Sequence, residues 1–237
     1  MKIATWSGPR NISTALMRSW SSREDTTVVD EPFYASYLFR TQLKHPAYKE
    51  IISQYAIDYE EVVENICGDI PKNKKIWYQK HMAHHINNFD SLSWVLNLKN
   101  CILIRNPGYV INSYLKKNKL NNIEELGYIQ QFKIMNYLIK NNTPFIVVEA
   151  DTLLNNPKKI LKLWCEYLDI PFTQKMLKWD KGYHPNDGIW STHWYNNVIK
   201  SSSFTRSSKR NEDVKKEYLE IYDECMFYYK KIKKFQL

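Results

Sequence analysis

Short apolar runs alternate with helical patterns along this chain. Residues 2–6 form the first run, Lys2-Ile3-Ala4-Thr5-Trp6, and lead straight into Ser7-Gly8-Pro9. A helical pattern over 13–22 follows, then a β-branched run at 26–29. Further strand-like runs stand at 75–79, 100–104 and 144–148, the last with Phe145, Ile146, Val147 and Val148 in a row. Continuous apolar strands separated by helices call for a parallel sheet covered on both faces. Residues 33–68 read as helices broken near Pro46, and helical patterns recur at 108–118, 122–140 and 157–168. In the last of these Ile160, Leu161, Trp164 and Leu168 share one face. Near the C-terminus Val214, Tyr218, Ile221, Tyr222, Cys225 and Ile232 do the same. The expected architecture is a three-layer α/β/α arrangement around a central parallel sheet. One domain over 1–237 suffices, with a helical insertion at about 33–72 and a C-terminal helical and loop segment.

Composition narrows the class without naming the chemistry. The 237 residues include 43% hydrophobic and 14% aromatic positions, which excludes a disordered or collagen-like chain. Six glycines and nine prolines leave no long flexible linker. Thirty-four Lys and Arg against 25 Asp and Glu give a formal charge of +9. That surplus suits a nucleic-acid binder or an enzyme that holds a small polyanion. No RNP, helix-turn-helix, zinc-finger or KH signature is present, so no nucleic-acid partner is expected. Four cysteines at 67, 101, 165 and 225 form no CxxC pair and no zinc spacing, which points to inert thiols in a reducing, cytoplasmic setting. The N-terminal apolar stretch is too short for a signal peptide, and no window approaches a membrane span. No metal and no membrane insertion are expected, and the oligomeric state is left open.

The candidate chemistry lies at strand ends. In a parallel sheet the loop leaving the first strand commonly holds the ligand. Here it reads Ser7-Gly8-Pro9-Arg10-Asn11-Ile12-Ser13-Thr14. Gly8 allows a tight turn, Ser13 and Thr14 can open a helix, and free amides there with Arg10 would cradle a phosphate-sized anion. The same octapeptide also reads as an ordinary strand–turn–helix corner. It does not match GxxxxGK[ST], because no Lys precedes the hydroxyl pair. A second strand ends at Arg105-Asn106-Pro107, with Ser113 eight residues beyond Arg105. A strand-end guanidinium and a helical hydroxyl could hold a second phosphate, although taken singly they read as an Arg at a strand edge and a Ser on a solvated face.

Two anion sites at two strand ends resemble the arrangement of the sulfotransferases that use 3′-phosphoadenylyl sulfate (PAPS). Residues 7–16 look like that family's 5′-phosphosulfate loop, P-[KR]-S-G-[TS]-[TS], matched by Pro9, Arg10, Ser13 and Thr14. Asn11 and Ile12 replace its Ser-Gly pair, so the Ile12 backbone is expected to avoid positive φ. Arg105 to Ser113 looks like the 3′-phosphate motif. Val148-Glu149-Ala150-Asp151-Thr152-Leu153, then Asn156-Pro157 and Leu168-Asp169-Ile170, are similar to the segment that follows it. The likeness spans roughly 2–172 and points to a less-studied branch.

The resemblance implies a P-loop nucleotide-hydrolase-like fold and sulfuryl transfer from PAPS to a hydroxyl or amine of a small acceptor. Gly8, Pro9, Arg10, Asn11, Ile12, Ser13, Thr14, Arg105 and Ser113 would bind PAPS, with Arg10 also stabilising the leaving phosphate. By analogy with phosphoryl transfer, positioning and electrostatics would supply most of the catalysis. The base is either Glu31, in a segment similar to E-P-x-[FY], or His81, where Lys80-His81 resembles K-T-H without the Thr. Asp30 would raise the Glu31 pKa by like charge, and Lys80 would stabilise charge near the sulfuryl group. The segment 181–190 loosely resembles the loop that closes the site. Trp190, Trp194 and Tyr195 would wall the cleft or join the core, and Arg206, Lys209 and Arg210 could face the 3′-phosphate. Alternatives are a sulfotransferase-like nucleotide-binding protein without turnover, motivated by Ile12, and a P-loop small-molecule kinase.

Overall fold

The computed structural model describes residues 1–87, 90–205 and 212–237. Five strands, β1 (Lys2–Ser7), β2 (Thr26–Asp30), β3 (Ile76–Met82), β4 (Lys99–Ile104) and β5 (Phe145–Glu149), form one sheet in the order β2-β3-β1-β4-β5. Every neighbouring pair is parallel. Ten α-helices surround it among the described residues: α1 (Ser13–Ser21), α2 (Tyr34–Thr41), α3 (Tyr48–Gln54), α4 (Tyr59–Cys67), α5 (Pro107–Tyr114), α6 (Tyr128–Lys140), α7 (Ala150–Asn155), α8 (Pro157–Tyr167), α9 (Ser191–Trp194) and α10 (Leu219–Lys233). Local chemistry sets several starts. The Asp58 carboxylate accepts from the Glu61 amide at 2.9 Å ahead of α4. Asn106 accepts from the Gly108 amide at 2.9 Å, with Pro107 at the first position of α5.

The period-two alternation of the strands divides the core. Ile3, Cys101, Leu103, Ile146 and Val148 pack against Leu16, Met17 and Trp20 of α1 and against Trp164 of α8. Ala4 and Trp6 meet Val62 and Ile66 of α4 and Ile134 and Leu138 of α6. On that side too, Ile102, Ile104 and Val147 meet α5, α6 and α10. The result is the expected three-layer α/β/α fold.

Two elements differ from expectation. β3 runs on to Met82 because Lys80 pairs in register with Thr5 and Asp30, and His81 with Trp6, so polar residues sit inside the sheet. The pattern at 122–140 breaks at Gly127, which has φ 78° and separates a 3-10 turn at Ile123–Leu126 from α6. No described helix is long and apolar enough to cross a membrane. The chain steps from β1 outward to β2 and back to β3, then crosses to β4 and β5. Loops on either side of β1 therefore part at the carboxyl edge, where such sheets open a crevice.

Candidate active site

That crevice is a cavity of about 1320 Å³ at the carboxyl ends of β1 to β4, larger than an ordinary single-ligand pocket. One lobe is built by the loop after β1. A Cβ on Gly8 would lie 2.1 Å from the Leu126 carbonyl oxygen, so glycine is required by the approach of the 3-10 turn. The turn's strained conformations fall elsewhere: Arg10 has φ 64° and Ile12 has φ 60°, ψ 14°. Ile12 therefore occupies the left-handed region that its β-branched side chain was expected to avoid. That conformation costs about 1–2 kcal/mol, and the half-buried Ile12 side chain packs against the α1 core, which offsets it. The Ile12 carbonyl accepts from the Leu16 amide at 3.1 Å and opens α1. No side chain among the described residues caps that start, and Ser13, Thr14 and Ala15 line the cavity there. Buried Asn11 donates to the Leu103 carbonyl at 3.3 Å while its Oδ1 has no partner among the described residues.

The second anion site adjoins the first. Arg10 Nε donates to Ser113 Oγ at 2.9 Å, and Arg105 Nη1 donates to the Arg10 carbonyl at 2.9 Å. Arg105 also reaches Asp151 at 3.4 Å, and Tyr128 fixes the Arg105 carbonyl from 2.7 Å. Burial, then the neighbouring Arg105 charge, lowers the Arg10 pKa; burial does the same to Arg105. Both remain cations. Two crowded guanidiniums with one longer-range carboxylate make a lobe that favours an anion carrying several charges.

The other lobe holds acid–base groups. Lys80 Nζ donates to Asp30 Oδ1 at 2.8 Å, to the Tyr195 hydroxyl at 2.8 Å, and to Glu31 Oε1. Glu31 has φ 45°, and its pKa is raised, first by burial and further by Asp30, against the pull of Lys80. Burial works against the Lys80 cation, yet Asp30 and Glu31 together raise its pKa.

A family model described as a sulfotransferase domain matches residues 1–235. The chain belongs to the sulfotransferase-domain family.

Two relatives from Arabidopsis thaliana, branched-chain-amino-acid aminotransferase-like proteins 2 and 1, are 34% and 38% identical to this sulfotransferase domain. The matches cover 94% and 87% of this chain, and 40% and 37% of theirs, so the chain spans well under half the length of these curated relatives. Solved structures share the fold. The sulfotransferase domain from the curacin biosynthetic pathway superposes with TM-score 0.52 at 15% identity, covering 94% of this chain and 96% of that one. The sulfotransferase domain of the Synechococcus PCC 7002 olefin synthase gives 0.54 at 16% identity, covering 94% of each.

Within this sulfotransferase domain, strand alternation sends Lys80 and His81 to opposite faces. Lys80 lines the cavity, and its three hydrogens are engaged by Asp30, Glu31 and Tyr195. His81 is not among the described residues lining the cavity. It stacks on Trp6 at 4.4 Å, beside Phe33 and Trp94, and meets Gln79 Oε1 at 3.1 Å. Burial, aided by Lys80, pulls its pKa down to about 3. Of the two expected bases, Glu31 lines the cavity and His81 lies in the aromatic core. Among the described residues no cluster could hold a metal ion.

Trp190 is buried core, whereas Trp194 and Tyr195 line the cavity. Arg206, Lys209 and Arg210 lie outside the described residues. Sequence reasoning missed the wall formed by α2 and the end of β3. There Tyr34 donates to or accepts from His45 Nδ1 at 2.8 Å, and Tyr34 and Tyr37 stack on His85. The signal was an aromatic spaced three apart on α2, beside His84-His85. It also missed the Tyr195 hydroxyl, which only the tertiary fold brings to Asp30.

Proposed function

We propose that this domain transfers a sulfuryl group from PAPS to a hydroxyl or amine of a small acceptor, with Glu31 as general base. The observation that carries the reading is that one cavity joins a two-arginine lobe to a buried carboxylate of raised proton affinity. The residues fit the donor: a helix start with no side-chain cap among the described residues and the Arg10–Ser113–Arg105 cluster offer hydrogen-bond donors and positive charge to an anion. Arg105 and Ser113 would hold the 3′-phosphate, and Arg10 with the amides of residues 12–14 the 5′-phosphosulfate. PAPS, when bound, supplies a sulfuryl group on a phosphate leaving group. The chain's own part is to orient the acceptor, to take its proton on Glu31, and to stabilise charge at Arg10 and the helix start. Tyr34, Tyr37, Trp194 and Tyr195 would shield that lobe from water.

Ile12 was the reason to consider a binding protein without turnover. Its left-handed backbone gives the loop the path a glycine would allow, which removes that reason. Four free cysteines, three of them buried, suit a reducing, cytoplasmic setting. Glu31→Gln should bind adenosine 3′,5′-bisphosphate like the wild type and lose transfer from radiolabelled PAPS across a panel of hydroxyl and amine acceptors. Retained transfer would reject Glu31 as the base.

A further inference from the structure

Glu31 is one corner of a polar knot buried at the ends of β2 and β3. Asp30 and Glu31 are consecutive, yet the φ of 45° at Glu31 turns both carboxylates onto one ammonium. The third hydrogen of Lys80 goes to Tyr195, whose hydroxyl lies 2.7 and 2.8 Å from the two Asp30 oxygens. Asp30 Oδ2 also accepts from the Gly188 amide at 3.2 Å. The Asp30 and Lys80 side chains are each 1% exposed, against 12% for Glu31, so Glu31 is the most open of the three charged members. With Asp30, Glu31 and Lys80 ionised and the Tyr195 hydroxyl protonated, the knot carries one negative charge in excess.

Resting on the reading of Glu31 as base, we propose that Asp30, Lys80 and Tyr195 are its positioning residues. Asp30 neutralises Lys80, so that Lys80 orients Glu31 without suppressing its capacity to take a proton. A carboxylate paired with a lone ammonium is a poor base, because the cation favours its ionised form. A second buried carboxylate on the same ammonium offsets part of that effect, and burial of Glu31 adds to the offset in the same direction. When Glu31 takes the acceptor's proton, the knot passes from one excess negative charge to neutrality, and the proton rests on a Glu31 carboxylate oxygen.

The groups facing Glu31 are consistent with this. Lys80 comes from β3, Asp30 from β2, Tyr195 from the turn after α9 and Tyr34 from α2; the Tyr34 pKa is itself raised by burial and by Glu31. His84 and His85 line the same cavity and are held neutral by burial. Asp187, beyond Asp30, is matched by Arg18 of α1. Arg18 also donates to the Gly182 carbonyl at 3.3 Å, so the segment carrying Gly188 and Tyr195 is tied to the helix whose start forms the donor lobe.

The test is carbon-13 NMR of glutamate carboxyls, with the Glu31 signal assigned by its loss in Glu31→Gln. The wild-type midpoint should lie above the ordinary glutamate value of about 4.3. Asp30→Asn should lower it by about one pH unit or more, because Lys80 then acts on Glu31 alone. Lys80→Met should raise it, and Tyr195→Phe should raise it less. The acid limb of the transfer rate should move with the midpoint in each variant that folds by circular dichroism. An unchanged or raised midpoint in Asp30→Asn overturns the proposal, whatever Glu31→Gln does to transfer. If Asp30→Asn does not fold, an unchanged midpoint in both Lys80→Met and Tyr195→Phe overturns it. Transfer retained by Glu31→Gln while the midpoints move as expected would instead reject the base and uphold the electrostatic role of Asp30.

Discussion

His81 should make the fold acid-sensitive rather than catalyse. It is 1% exposed, stacked on Trp6, and its pKa falls from an ordinary 6.5 to about 3 in the folded chain. Between those values the unfolded chain binds a proton that the folded chain refuses. The stability His81 contributes is therefore complete above pH 6.5 and is lost as pH falls toward about 3. One pH unit within that window is worth about 1.4 kcal/mol per proton, so from pH 7.5 to pH 5 the loss due to His81 is roughly 2 kcal/mol. His84 and His85 shift in the same direction and add to the wild-type loss. Urea unfolding of the wild type and His81→Phe at pH 7.5 and pH 5 isolates the one residue. His81→Phe leaves Gln79 Oε1 without its partner and should be less stable at pH 7.5 by about 1–2 kcal/mol. Its further loss at pH 5 should nevertheless be smaller than the wild type's by about 2 kcal/mol. Equal losses in the two proteins would refute the reasoning. Loss of transfer in a folded His81→Phe would return the base to His81.

Gly8→Ala places a Cβ 2.1 Å from a backbone oxygen, so the loop or the 3-10 turn must move. It should destabilise by about 1–3 kcal/mol in thermal unfolding and weaken adenosine 3′,5′-bisphosphate binding; wild-type values for both would show that the close approach is not made. Asp187→Ala leaves the Arg18 guanidinium buried without its carboxylate, at a cost of about 3–5 kcal/mol in urea unfolding. A change under 1 kcal/mol would mean the pair does not anchor the segment carrying Tyr195.

The strands were legible because runs such as Ile146-Val147-Val148 are buried on both faces and need no partner to be recognised. The end of β3 was not. Lys80 and His81 look like a polar strand end, and their burial depends on groups distant in sequence: Asp30, Glu31 and Tyr195 around the ammonium, and the Trp6 cluster around the imidazole. Glu31, Arg10, Arg105 and Ser113 are candidates from local motifs, and the fold brings all four to one cavity. The contact between Arg10 and Ser113 was hidden, since it joins residues 103 apart. Ile12 reversed its expectation because side-chain packing outweighs a local backbone preference of similar size. Gly8 was singled out as a turn glycine, but its reason lies in Leu126, on an element whose break at Gly127 went unseen.

The central claim is that the Arg10–Arg105–Ser113 lobe holds a 3′-phosphorylated adenosine nucleotide, and isothermal titration calorimetry tests it most directly. Adenosine 3′,5′-bisphosphate should bind the wild type with micromolar affinity and much more tightly than AMP, while ATP with Mg²⁺ should not bind; Arg105→Ala should erase the preference over AMP. Binding of ATP with Mg²⁺ but not of the bisphosphate, or an undiminished preference in Arg105→Ala, would contradict the account.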